Sequence, residues 1–280
     1  HLTIQLNLLC VKLNYIMTAS DYPYFEGDYP LVLPHRGGME VVPENTLEAL
    51  EYSDRNKFTH FETDLRMSKD GVVFLHHDET LDRTTRSEGK VSEYLWRDLL
   101  KINAGEKFYE RKNINGKRTT FISLEDALAK FSNIKLNLDL KQSGMEKKVL
   151  EIIMDSKASE RTLVSSFSPR RLRKFQEINQ YNIAISASIK ENLQSMFNSR
   201  FFHLWNLRVQ ALQIPTRWNG IRVLTNNLVE YAHSKNIKVH VWTINNLNIL
   251  EDCLELGCDG IMTDRPVEVR EFIMEKYGKR

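Results

Sequence analysis

Cysteine is scarce in this chain of 280 residues: there are three, Cys10, Cys253 and Cys258. An odd, sparse set excludes a disulfide framework and suits a reducing, cytoplasmic compartment. No run of eighteen apolar residues occurs, so no transmembrane segment is expected. Only 12 Gly and 7 Pro argue against long flexible linkers and exclude collagen-like composition. Charge of one sign is also missing. Lys and Arg total 39 against 37 Asp and Glu, a net charge of +2, where a dedicated nucleic-acid binder carries a dominant basic excess. The apolar start, HLTIQLNLLCVKLNYIM, has a weak signal-like character but lacks a basic leading region and a small-residue cleavage site. Residues 1–27 are therefore read as an N-terminal extension, with the functional chain expected to begin near Met17 and one domain over residues 28–280.

Within that domain, short apolar or β-branched runs alternate with amphipathic helical patterns. Eight runs read as strands: Leu31–Pro34, Phe58–Leu65, Leu136–Leu140, Thr162–Phe167, Ile183–Ser188, Val209–Ile214, Ile237–Thr243 and Gly260–Thr263. Helix ends are legible between them. Asn45 with Glu48 reads as a capping box, Ser123 caps SLEDALAKF, and Ser168-Pro169 opens RRLRKFQEI. Eight such units over about 250 residues predict an α/β fold of the TIM (β/α)8 barrel type. Val72–His76 reads as an extra strand folding back through the Lys69-Asp70-Gly71 turn. An insertion of about residues 72–120 then follows the second strand. Its stretch 80–120 holds ten Lys and Arg against six Asp and Glu, which fits either a solvated excursion or a cap over an anion. Residues 189–208 read as irregular.

Chemistry concentrates at predicted strand ends, where barrel enzymes build their sites. Side chains alternate along a strand, so Glu62 and Asp64 share one face while Phe61 and Leu65 take the other. An isolated pair of this kind is more often a surface pair. Here the next strand, Leu136-Asn137-Leu138-Asp139-Leu140-Lys141, aims Asp139 and Lys141 at the same place. Close inward carboxylates are costly unless a positive group lies between them, and a hard divalent cation fulfils that need. His35-Arg36-Gly37-Gly38 ends the first strand and offers an imidazole beside a guanidinium suited to phosphate oxygens. His76-His77-Asp78 supplies a second imidazole, and two imidazoles can divide acid and base work. Trp242 is expected to wall the barrel mouth or to pack in the core, and Phe167 carries the same two readings. Asp264 either orients a site residue or caps the last helix.

Taken together, His35-Arg36-Gly37, Pro43-Glu44-Asn45-Thr46, Glu62-x-Asp64, Lys69-Asp70-Gly71, His77-Asp78, Asn137-x-Asp139-x-Lys141, Ser165-Ser166-Phe167, Val241-Trp242-Thr243 and Thr263-Asp264-Arg265-Pro266 occur in an order that resembles the glycerophosphodiester phosphodiesterase family. The resemblance runs from about Leu31 to the C-terminus. It implies a TIM barrel with an insertion after the second strand and metal-dependent hydrolysis of glycerophosphodiesters to sn-glycerol 3-phosphate and an alcohol. By the same resemblance His35 and His77 are the acid/base pair, His77 rather than His76 because it directly precedes Asp78. Glu62, Asp64 and Asp139 match the ligands of one divalent cation, Ca2+ or Mg2+, with Asp139 standing where many members carry Glu. Arg36 and Lys141 match the phosphate-holding positions, and Trp242 and Phe167 are expected to contact the small-molecule substrate. Two other readings remain at this stage: a lysophospholipase D acting on acylated glycerophosphodiesters, and an inactive phosphate-binding barrel. An exposed apolar groove leading from Trp242 favours the first of these over deacylated substrates.

Overall fold

Eleven strands and ten α-helices account for most of residues 17–116, 118–201 and 204–278, the part described by this computed structural model. The strands are β1 (Leu31–Pro34), β2 (His60–Met67), β3 (Val73–Leu75), β4 (Lys135–Leu140), β5 (Thr162–Ser165), β6 (Ala184–Ile185), β7 (Ala211–Pro215), β8 (Arg217–Trp218), β9 (Ile221–Arg222), β10 (Lys238–Trp242) and β11 (Gly260–Thr263). Two parallel arrays, β1-β11-β10-β7 and β2-β4-β5-β6, form opposite walls of a barrel. Single parallel bridges join them, His35 with Glu62 at one seam and Ser186 with Ala211 at the other. The eight parallel strands expected from the sequence thus close into a (β/α)8 barrel.

Alternation along the strands decides which side chains reach the barrel interior. Phe61, Leu65, Leu136, Leu138 and Leu140 turn outward and pack with Ala49 and Leu50 of α1 (Leu47–Arg55). On the opposite wall Leu212, Val239, Val241 and Ile261 pack with Leu228 and Leu250 of the covering helices. Glu62 and Asn137, and Asp64 and Asp139, are register partners on β2 and β4, so all four face inward. At the N-terminal end, Ala19, Tyr24 and Phe25 pack on Leu163, Ala184 and Ala211 and close the floor. His60 Nε2 donates to the Tyr24 carbonyl at 2.9 Å, and burial lowers the pKa of His60 to about 3 and of His240 to about 4. Both floor histidines are therefore neutral packing groups.

After β2 the chain folds back through a tight turn, in which Gly71 adopts φ +83°, and β3 pairs antiparallel with β2. The insertion beyond it contains α2 (Trp96–Leu99) and α3 (Glu106–Lys112) and has a small core of Phe74, Leu81, Val91, Leu99, Ala104 and Phe121. Two readings of the sequence need correction. Thr46, not Asn45, caps α1: its hydroxyl accepts from Ala49 N, whereas Asn45 sits at φ +55° and turns its amide into the barrel. The stretch read as irregular holds a helix, Ile189–Asn198, opened by a capping box of Ser188 and Glu191. It follows α4 (Leu124–Lys130), α5 (Glu146–Asp155) and α6 (Pro169–Ile178) and is α7, ahead of α8 (Asn226–Ser234), α9 (Leu247–Glu255) and α10 (Pro266–Tyr277).

Asp259, just before β11, ties strands together at the floor. It accepts from Val239 N and Lys238 Nζ, each at 2.9 Å, and lies 2.7 Å from His233 Nε2. Burial pushes its pKa up, but these partners prevail and hold it below the ordinary carboxylate range. A depressed folded value means stability that is complete above pH 4 and is lost as pH falls through that depressed value. Asp259→Asn is thus expected to cost about 1–3 kcal/mol at pH 7. Urea unfolding at descending pH checks this: the variant and parent curves should converge in acid, and a pH-independent difference would refute the assignment.

Candidate active site

At the C-terminal ends of the barrel strands lies a cavity of about 210 Å³. His35, Arg36, Glu62, Asp64, His77, Asp139, Lys141, Phe167 and Trp242 all line it. Every site residue expected from the sequence is therefore in one place. Outward packing of Phe61, Leu65 and the three β4 leucines is what forces the charged partners of that alternation inward.

His35 follows β1, with Nδ1 2.7 Å from Asp264 Oδ1 and Nε2 4.0 Å from Glu62 Oε2. Asn245 fixes Asp264 in turn, donating to Asp264 Oδ2 at 2.6 Å and accepting from Asp264 N at 2.9 Å. Asp264 is therefore an orienting residue. Burial disfavours the imidazolium, yet the Asp264 hydrogen bond and the Glu62 charge raise the His35 pKa above its ordinary value. The next residues show why the chain must turn here. Arg36 adopts φ +51° and donates its backbone N–H to Glu62 Oε2 at 3.0 Å. Gly37 has φ +93°, and a Cβ there would lie 2.4 Å from the Ala49 Cβ, so only glycine fits.

His77 has Nδ1 2.6 Å from Asp78 Oδ1. Arg83, from the insertion, donates to Asp78 Oδ2 at 2.5 Å and reaches both Glu44 oxygens at 2.6 and 2.7 Å. Glu44 then accepts from Arg36 Nη1 at 3.0 Å, and Arg36 Nε is 3.2 Å from Asp64 Oδ2. A continuous chain of alternating charges thus connects the two rims of the cavity. His76, by contrast, is buried in the insertion core, bonded at 3.0 Å to the Thr80 carbonyl and stacked on Phe74. Burial lowers its pKa. Of the neighbouring pair only His77 faces the cavity.

Lys141 Nζ lies 2.7 Å from Asp139 Oδ2 and 3.1 Å from Asp64 Oδ1, and it sits 5.2 Å from the Phe167 ring centroid. Phe167 meets Trp242 edge to face at 5.5 Å, so the two rings form an apolar wall facing the charges. Asn45, 1% exposed, donates to Asp64 Oδ2 at 2.9 Å and accepts from Thr63 Oγ1 at 2.7 Å. Burial and the Asp64 charge push Glu62 up, and burial likewise raises Asp139. Asp64 is buried too, but Lys141 and Arg36 hold it well below the usual range. Three buried carboxylates face two cations, and Asp139 Oδ1 is buried without a hydrogen-bond partner. Among the described residues no three His, Cys, Asp or Glu side chains converge as placed on one point, and Lys141 Nζ lies between Asp64 and Asp139. In charge and donor type, Glu62, Asp64 and Asp139 nevertheless fit a hard divalent cation with oxygen ligands.

Known proteins share this arrangement of elements. Residues 35–268 match the model of the glycerophosphoryl diester phosphodiesterase family. A glycerophosphodiester phosphodiesterase of Caldanaerobacter subterraneus subsp. tengcongensis is 30% identical over 244 residues, 84% of this chain and 94% of its own length. A probable glycerophosphodiester phosphodiesterase 2 of Mycobacterium tuberculosis is 27% identical over 252 residues, 88% of this chain and 91% of that protein. Among solved structures, an Oleispira antarctica phosphodiesterase in complex with the product sn-glycerol-3-phosphate superposes with a TM-score of 0.72 at 22% identity, covering 92% of this chain and 99% of that one. At that identity the superposition bears on the fold.

Proposed function

Since the chain belongs to the glycerophosphoryl diester phosphodiesterase family and is a phosphoric diester hydrolase, we propose that it hydrolyses small glycerophosphodiesters, such as glycerophosphocholine, to sn-glycerol 3-phosphate and a free alcohol, assisted by one divalent cation, Ca2+ or Mg2+. The observation that carries this reading is the meeting of two carboxylate-backed imidazoles, three carboxylates, Arg36 and Lys141 on one cavity at the strand ends. The product seen in the Oleispira antarctica neighbour supports the same product here. An inactive barrel is disfavoured because both imidazoles and all three carboxylates line the cavity. No helix among the described residues is long and apolar enough to cross a membrane, and the buried free thiols of Cys253 and Cys258 suit the cytoplasm.

In this reading Glu62, Asp64 and Asp139 hold the cation, which when bound neutralises charge developing on the phosphoryl oxygens. Arg36, fixed by Glu44, and Lys141 bind the phosphate. Asp78 and Asp264 engage Nδ1 of His77 and His35, leaving each Nε2 for proton transfer. His77 takes a proton from water as its oxygen bonds to phosphorus, and the P–O bond to the alcohol breaks. His35, whose imidazolium is favoured by Asp264 and Glu62, returns a proton to the departing oxygen. Acid–base catalysis gives about 10²–10⁴-fold, roughly 3–5 kcal/mol of the 8–23 kcal/mol that enzymes commonly supply. Electrostatic stabilisation must provide most of the remainder.

Choline release from glycerophosphocholine tests the whole scheme. Activity is expected to vanish in EDTA and to return with Mg2+ or Ca2+. Full turnover in EDTA would remove the cation from the scheme, and no turnover with any divalent ion would remove the substrate assignment.

A further inference from the structure

The insertion sends one charged side chain back toward the catalytic residues. Arg83 lies in the stretch Asp82-Arg83-Thr84-Thr85, whose backbone is pinned on both sides. Leu81, just before it, is buried in the insertion core, and Thr85 donates both its N–H and its hydroxyl to the Leu81 carbonyl. Lys107 N donates to the Thr84 carbonyl at 3.2 Å. A side chain projecting from a backbone held in this way has a defined reach. Its Nε donates to Asp78 Oδ2, and Nη1 and Nη2 donate to the two oxygens of Glu44. Asp78 follows β3 and Glu44 follows β1, so a single guanidinium joins the ends of two strands.

Each of the two carboxylates also engages a side chain that lines the cavity. Asp78 Oδ1 lies 2.6 Å from His77 Nδ1, and Glu44 Oε1 accepts from Arg36 Nη1 at 3.0 Å. Burial disfavours charge on Glu44, and the bonds from Arg83 and Arg36 overcome it. Folding stability does not account for the arrangement. The Arg83 side chain is 40% exposed, and ion pairs with an exposed partner contribute little. Geometry does account for it: a rigid planar fork aligns two carboxylates at once, whereas an ammonium on a flexible stem acts as a point charge.

We propose that Arg83 is a positioning residue for phosphodiester hydrolysis, its one guanidinium holding Asp78 behind His77 and Glu44 behind Arg36. The insertion is thereby a working part of the active site rather than a solvated excursion. Through Asp78 it sets the direction of the His77 ring, and through Glu44 it sets the guanidinium that meets the phosphate. The proton acceptor and the phosphate grip are kept in register from a point behind both. The role rests on the catalytic reading of His77 and Arg36 and adds what orients them together.

Steady-state choline release from glycerophosphocholine, with kcat and KM resolved, tests it. Arg83→Ala is expected to lower kcat/KM by about 10–100-fold, the usual cost of losing a group that orients a site residue from behind. The loss should divide between the two constants: kcat falls as it does in Asp78→Asn, and KM rises as it does in Glu44→Gln. The melting point should stay near that of the parent, because the side chain is exposed. Arg83→Lys keeps the charge but cannot bridge both carboxylates, so it should restore one of the two constants at most. In a Glu44→Gln/Asp78→Asn background, Arg83→Ala should cost nothing further, since the groups it acts through are already gone. Parent-like kcat and KM in Arg83→Ala or in Arg83→Lys would overturn the role, as would a change confined to one constant in Arg83→Ala. So would an undiminished loss in the double-variant background. If the parent enzyme released no choline at all, the catalytic reading itself would fall instead.

Discussion

Asp64→Asn is expected to lower kcat/KM for glycerophosphocholine by about 10³-fold, with Glu62→Gln close behind, while both proteins remain folded. Asp64 lies 2% exposed within reach of Lys141, Arg36 and Asn45, so its charge sets the position of both cationic side chains. Asparagine preserves volume and removes one unit of negative charge. It therefore weakens the proposed cation cradle and frees Lys141 to pair with Asp139 alone. Losing one preorganised electrostatic group typically costs about 10²–10³ in kcat, and here a proposed cation ligand and an orienting anion disappear together. The loss should equal or exceed that of His77→Ala, for which about 10²–10⁴ is the range of acid–base catalysis. Steady-state choline release, with a melting curve to confirm folding, is the check. A variant within tenfold of the parent would contradict the central place given to these carboxylates.

The two imidazoles should separate by leaving group. His35→Ala and His77→Ala are each expected to cost about 10²–10⁴-fold on glycerophosphocholine, whose alkoxide must be protonated as it leaves. An aryl phosphodiester departs as a stabilised anion and needs little help from an acid. The His35 variant should accordingly recover most of its deficit on a nitrophenyl diester, and the His77 variant should not. The carboxylate environments support this assignment: His35 is held by Asp264 and lies 4.0 Å from Glu62, and its pKa is raised despite burial. Recovery by the His77 variant instead would exchange the two roles.

The barrel and the charged centre were both legible in the sequence for one physical reason. Strand alternation couples an outward leucine face to an inward charged face, so Leu136, Leu138 and Leu140 announced Asp139 and Lys141. What escaped was set by long-range packing. Asn45 reads as a helix cap because asparagine favours that position, but the left-handed turn at φ +55° gives the cap to Thr46 and sends the amide to Asp64. Arg83 carried no local pattern at all: only the folded insertion brings it between Asp78 and Glu44. The helix at Ile189–Asn198 was within reach, since Ser188-x-x-Glu191 is a capping box, but its exposed Leu193 and Phe197 blur the amphipathic stripe.

The way the walls meet has a further consequence. His35 belongs with the wall completed by β11, whereas Glu62, Asp64 and Asp139 stand on the wall that ends at β6, and a single bridge, His35 with Glu62, crosses between them at the site. His35, the proposed proton donor, thus hangs from the first strand but takes its bearing from Asp264, just past the last barrel strand. A ribosome must deliver almost the entire barrel before donor and acidic cradle can face each other. Hydrolytic competence consequently waits for β11 and Asp264, and a truncated chain ending before β11 stays silent however well its first half is folded.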